Sequence, residues 1–170
     1  HLRDAAAAGI GVTASSPAVV REIMSADLSG LAPLSVDIEV DTGLGRDGIL
    51  PSDLVAQIAV LRSNPNVLLR SIWSHLTAAE NVERSRLQEE ILEQAAAQAP
   101  ELEAHLVGSG GLLTIGDTQR VARVGIALFG VVPNALRPTM TAATIGIERV
   151  YGLAARPVRI ATLPVGHGVG

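Results

Sequence analysis

The sequence has no cysteine and no lysine, and Phe, Trp and Tyr occur once each. Without cysteine there is no disulfide framework and no thiolate zinc site. Without lysine every basic residue is an arginine, and Tyr151 is the single phenol. Excess positive charge is missing too: 13 basic side chains face 17 acidic ones, which leaves no electrostatic footprint for nucleic acid or an anionic membrane. There is no signal peptide and no long uninterrupted apolar span, so the expectation is a soluble cytoplasmic protein with no membrane segment. An initiator methionine is also absent; the chain opens at His1-Leu2-Arg3 as if already inside a helix. What is present is 170 residues, 48% of them hydrophobic, enough for one medium domain with a real core.

The most informative stretch runs from Val36 to Gly48. Val36, Ile38 and Val40 alternate with Asp37, Glu39 and Asp41, giving a strand with an apolar back and an acidic front. It ends in DTGLGRDG (41–48), where Gly43, Gly45 and Gly48 permit backbone angles other residues resist and Arg46 offers a five-donor fork to a carboxylate or phosphate. The same octapeptide also suits a flexible surface loop with a solvated arginine.

Around it the chain alternates. His1–Ala8 reads as a helix stopped by Gly9, and residues 10–14 as a strand. Ser16-Pro17 caps a helix with Val20, Ile23 and Met24 at helical spacing. Pro51-Ser52-Asp53 opens another helix, bearing Leu54, Ile58 and Leu61. Residues 67–75 form a strand ending in Ser74-His75. Residues 80–99 form the longest helix, with Val82, Leu87, Ile91 and Ala95 on the inner side and Glu83, Arg84, Glu89, Glu90 and Glu93 as a solvated face. Residues 102–107 give a strand ending in Gly108-Ser109-Gly110-Gly111, and 121–130 (VARVGIALFG) begins as a further strand. Strand and helix alternate about five times, which means a parallel sheet with a site at the C-terminal ends of its strands. After Pro133–Pro138, β-branched and small residues take over, among them Thr141, Ile145, Val150, Val158 and Ile160, and a second, β-type region is expected over 134–170.

DTGLGRDG, IWSHLTAAE, VGSGG and VARVGIALFG, in that order, resemble the motifs of alanine racemase, a fold-type III pyridoxal-phosphate enzyme with an N-terminal (β/α)8 barrel and a C-terminal β domain. The resemblance implies an α/β fold. Residues 1–133 would be a partial TIM-type barrel, about strands 4 to 8, and 134–170 the start of a truncated β domain. A whole barrel needs roughly 250 residues, so the chain reads as a fragment or truncated relative with open sheet edges.

The implied chemistry is interconversion of L- and D-alanine, supplying D-alanine for peptidoglycan, in a homodimer using pyridoxal phosphate and no metal. Arg123 matches the arginine that faces the pyridine nitrogen. Ser109 with the amides of Gly125 and Ile126 matches the phosphate cradle, His75 the histidine beside the ring, and Arg46 the arginine on the substrate-carboxylate side. Glu39 stands where many members carry a carbamylated lysine, and would supply that negative charge to Arg46 unmodified. Tyr151, in Val150-Tyr151-Gly152, matches the tyrosine that transfers a proton in the partner's site. Taken alone, Arg123 also suits a cap on the sheet, Ser109 a loop serine and His75 a satisfied polar residue. His105 carries no motif. The family's asparagine and alanines around Ser109 are Gly108, Gly110 and Gly111 here, which implies a looser loop. The family's GYADG is GHGVG (166–170), without tyrosine or acid. Because the lysine that attaches the cofactor is missing, the chain is expected to be inactive alone. A degenerate non-catalytic relative and another fold-type III enzyme, such as a broad-specificity racemase, are the alternatives.

Overall fold

Ser16 Oγ accepts a hydrogen bond from Val19 N at 3.3 Å and Pro17 takes the first helical position, so α2 (Pro17–Ser25) starts where a free N–H would otherwise be wasted. The same logic runs along the chain in this computed structural model, which describes residues 1–116, 121–152, 154–157 and 160–167. Helix α1 (Leu2–Ala7) ends at Gly9, whose φ of 66° breaks it, and β1 (Val12–Ala14) follows. Next come β2 (Leu34–Glu39), α3 (Leu54–Arg62) and β3 (Val67–Trp73). Helix α4 (Val82–Ala96) is capped by Asn81, whose side chain accepts from Arg84 N at 2.9 Å. Strand β4 (Glu103–His105) and α5 (Ser109–Thr114) complete the alternation.

The four strands form one parallel sheet in the order β1-β2-β3-β4. This is α/β architecture with a parallel sheet, the arrangement of a partial barrel. Val36, Ile38 and Val40 are buried on the helix side with Val20, Ile23, Leu54, Leu61, Ile72 and Leu92, and these form the core. Between β2 and β3 the register steps at Val36/Asp37: Val36 pairs with Leu69, but Asp37 pairs with Ser71. Arg70 is the extra residue of the bulge, and Ser71 rather than Arg70 therefore stands beside Asp37. Farther along, Glu39, Trp73 and His105 lie in one row across the sheet.

Two expectations need correction. First, of the stripe read from its sequence, α4 buries only Ala95. Val82 and Leu87 are 48% and 56% exposed, while Ser85, Gln88, Glu89, Leu92 and Ala95 face inward. The first turns of α4 pack over loops beyond the strand ends, where backbone polar groups need partners more than apolar cover. Glu89 accordingly leaves the solvated face and accepts from Arg86 Nη1 at 2.6 Å, and Arg86 Nη2 donates to the Ile115 carbonyl.

Second, 121–130 is not a full strand. Arg123 N donates to Val107 O at 2.9 Å in a single parallel bridge, after which Ile126–Phe129 winds into a 3-10 helix ended by Gly130 in the left-handed region. The ladder gives way because Gly125 and Gly130 favour turning over extension. The described residues of 134–170 contain a 3-10 helix at Asn134–Leu136 and the short α6 (Ala142–Ile145), and no strand. β-branched composition makes a strand only where another edge is available to pair with. Val158 and the Gly168-Val169-Gly170 end of GHGVG lie outside the described residues.

Candidate active site

The loop after β2 is shaped by its own aspartate. Asp41 Oδ1 accepts from Gly43 N at 2.9 Å and Gly45 N at 3.0 Å, and these amides, Gly45's above all, hold the carboxyl below its usual range. Gly48, with φ of 119°, donates to the Ser15 carbonyl at 2.9 Å. A Cβ there would lie 2.5 Å from Asp41 N. The chain then closes through Ile49 N to Glu39 O and Asp41 N to Ile49 O. Of the two readings of the octapeptide, the flexible loop is set aside: the segment is tied to its own strand and to the end of β1.

Arg46 leaves this loop exposed, with Nη2 3.8 Å from Glu39 Oε1. Glu39 is only 6% exposed. Burial, with Asp47 adding repulsion, raises its pKa against the pull of Arg46 and Arg123.

Arg123 is the hub. Nη2 donates to the Ser74 carbonyl at 2.5 Å and to Leu106 O at 3.3 Å, Nη1 donates to His105 Nδ1, and the guanidinium lies 4.5 Å from the Trp73 ring centroid. Trp73 in turn stacks on His105 at 6.5 Å. Behind His105, Ser71 Oγ donates to Asp37 Oδ1 at 2.6 Å and meets His105 Nε2 at 3.2 Å. A hydroxyl has one proton, and Asp37 has it, so Ser71 accepts from His105 Nε2–H. Nδ1 is thereby left as the acceptor for Arg123. Burial first, then the Arg123 charge, lower the His105 pKa and keep the ring neutral. Burial lowers the pKa of Arg123 as well, Glu39 opposing it.

His75, Ser109, Gly125, Ile126 and Arg123 line one cavity of about 280 Å³ at the C-terminal ends of β3 and β4. Ser109 Oγ accepts from Gly125 N at 2.9 Å and from Ala127 N at 3.3 Å, which ties α5 to the segment around Ile126. The Gly108–Gly111 run is not loose: Ser109 opens α5, and a Cβ at Gly110 or Gly111 would come within 2.7 or 2.8 Å of Ala79 or Leu76. Small residues let α5 approach the loop after β3. His75 is exposed at the rim. Desolvation against its neighbours, then Arg123 and Arg46, lower its pKa. Tyr151 is not brought into this cavity; it is 55% exposed and meets Phe129 edge-on at 6.0 Å. Among the described residues no cluster is suited to a metal ion, and no helix is long and apolar enough to cross a membrane.

The sequence profile of the alanine racemase N-terminal domain matches residues 1–133. The chain belongs to the alanine racemase family. The alanine racemase of Streptomyces coelicolor is 32% identical over 98% of this chain and 45% of the relative, and that of Thermobifida fusca is 32% identical over 99% and 53%. The chain thus spans about half the length of the curated relatives it matches. Among solved structures, the biosynthetic alanine racemase of Pseudomonas aeruginosa is 28% identical over 85% of this chain and 40% of that one, with a TM-score of 0.75. A histidine racemase from Leuconostoc mesenteroides is also 28% identical, over 76% and 37%, with a TM-score of 0.62. The family is one of pyridoxal-phosphate-dependent isomerases.

For this alanine racemase family chain, motif reading missed Asp37, Ser71 and His105, the hydrogen-bonded chain that supports Arg123. Period-two alternation places Asp37 on the face of Glu39, and Ser71 on that of Trp73. Only the bulge at Arg70 joins those faces, and nothing in the sequence announces it.

Proposed function

We propose that the chain forms one side of an alanine racemase site, holding pyridoxal phosphate with Arg123, His75, Ser109, Gly125 and Ile126. The convergence of these residues on one cavity carries the reading. They suit the group: the Ser109 hydroxyl accepts from Gly125 N and Ala127 N and keeps its own proton to donate to a phosphate oxygen, and a Cβ at Gly125 would meet nothing within 4 Å. When bound, pyridoxal phosphate supplies the electron sink for the pair released as the α-hydrogen leaves. Arg123, held by Ser74, Leu106 and neutral His105, keeps its proton and so presents only N–H donors to a ring nitrogen. Arg46 faces the carboxylate of alanine, and Glu39 orients it without modification. Tyr151, exposed and away from its own chain's cavity, suits proton transfer in the site of a second copy in a homodimer. Residues 134–170 would begin the β domain, and the whole protein would act in the cytoplasm, supplying D-alanine for peptidoglycan.

With no lysine in the sequence, these residues bind and orient but do not attach the cofactor, and alone they are inactive. GHGVG (166–170), without the tyrosine and acid of the family's GYADG, favours a second reading, a non-catalytic relative that keeps the cofactor cavity. The test is titration of the purified chain with pyridoxal phosphate, followed by its absorbance and fluorescence. Saturable binding that Ser109→Ala weakens about tenfold, roughly one buried hydrogen bond, is expected. Absence of binding, or equal binding by the variant, overturns the cofactor reading. Co-expression with the lysine-bearing part of a relative separates the two functional readings: D-alanine formation supports the racemase, and none supports the relic. Racemisation by the isolated chain above free cofactor contradicts the inactivity.

A further inference from the structure

Gln88 lies on the inner face of α4, 3% exposed, in a position where packing alone calls for an apolar side chain. Its whole amide is used. Oε1 accepts from Thr77 N at 2.9 Å, while Nε2 donates to Thr42 Oγ1 at 3.1 Å and to the His75 carbonyl at 3.2 Å. Thr42 belongs to the loop that carries Arg46; His75 and Thr77 belong to the loop after β3. Two direct bonds join the same loops: Thr42 Oγ1 shares a hydrogen bond with Ser74 Oγ at 2.8 Å, and Thr77 Oγ1 donates to Gly43 O at 3.1 Å. Ser74 is also the residue whose carbonyl holds Arg123.

We infer that Gln88 is a positioning residue that clasps the Arg46 loop to the His75 loop and so fixes the distance between the two walls of the site. This rests on the reading that Arg46 and His75 serve one site. The side-chain type follows from the partners. Two donors and one acceptor are needed at one buried point, and an amide of this length supplies them. A glutamate would keep the acceptor but turn a carboxylate oxygen toward the His75 carbonyl. Leucine or methionine would fill the volume and leave the Thr77 N–H and the His75 carbonyl without this partner. The clasp sits behind the loops, outside the cavity lining, so it acts through them and touches no ligand.

The test uses Gln88→Met and Thr42→Val in the full chain, with two readouts that need no cofactor. Hydrogen exchange is followed at Gly43, Gly45, Thr77 and, within α4, Leu92. The His75 ring is titrated by NMR. The clasp predicts that Gln88→Met speeds exchange at Gly43, Gly45 and Thr77 about tenfold relative to Leu92, the loss of a buried hydrogen bond. The His75 pKa, depressed by desolvation and then by Arg123 and Arg46, should move up toward 6.5 as the loops part. Thr42→Val, which removes one anchor and keeps the amide, should give smaller changes of the same sign and decides the matter if Gln88→Met does not fold. Unchanged His75 titration, or exchange that rises equally in the loops and in α4, overturns the inference and leaves Gln88 a packing residue. If the parent chain fails to bind pyridoxal phosphate, the cofactor reading falls while these two readouts still decide the clasp.

Discussion

Ser71 gives its only hydroxyl proton to Asp37, at 2.6 Å, and that bond sets the state of His105. The ring must donate from Nε2 and accept at Nδ1, where Arg123 donates. A protonated ring would set an N–H against the guanidinium, so the network favours neutral His105 through geometry as well as burial.

Stability should depend on pH accordingly. The unfolded chain takes up a proton at His105 near 6.5, and the folded chain only at lower pH. The contribution from neutral His105 is therefore complete above 6.5 and lost as pH falls toward the folded value. In urea titrations at pH 7.5, 6.5 and 5.5, the advantage of the parent chain over His105→Asn should shrink as pH falls. A constant difference would show that the proton is not excluded.

Glu39 carries the opposite sign. Its folded pKa is raised above 4.5, so the folded state loses stability as pH rises from 4.5 through that raised value. Glu39→Gln removes this cost together with the pair to Arg46, whose side chain is 64% exposed and whose pairing is worth under about 1 kcal/mol. The urea midpoint of Glu39→Gln relative to the parent should therefore climb between pH 4.5 and 7.5, and a falling difference would mean that the charged pair stabilises the fold.

Two of the turn's three glycines, Gly43 and Gly48, should differ. Gly43 and Gly48 have φ of 124° and 119°, so alanine at either costs backbone strain of about 1–3 kcal/mol. At Gly43 a Cβ meets nothing within 4 Å, whereas at Gly48 it meets backbone, Asp41 N, at 2.5 Å. Gly48→Ala should unfold at clearly lower urea than Gly43→Ala. Equal midpoints would show that the loop can move away from β2.

The sequence by itself determined the alternation of strands and helices, the cap at Ser16, the acidic front of β2 and the motif residues Arg46, His75, Ser109 and Arg123. Each of these depends on local chemistry: period-two or helical spacing, a capping side chain, glycine where φ must be positive. Only the tertiary structure decided that Asp37 and Ser71 meet across the bulge at Arg70, and that His105 backs Arg123. It also decided that α4 turns Gln88 and Glu89 inward in place of Val82 and Leu87, that residues 126–129 coil, and that the described residues after 133 form no strand. The reason is common to them all: register across a sheet and the orientation of a helix over loop backbone are set by non-local partners, which no window of sequence contains.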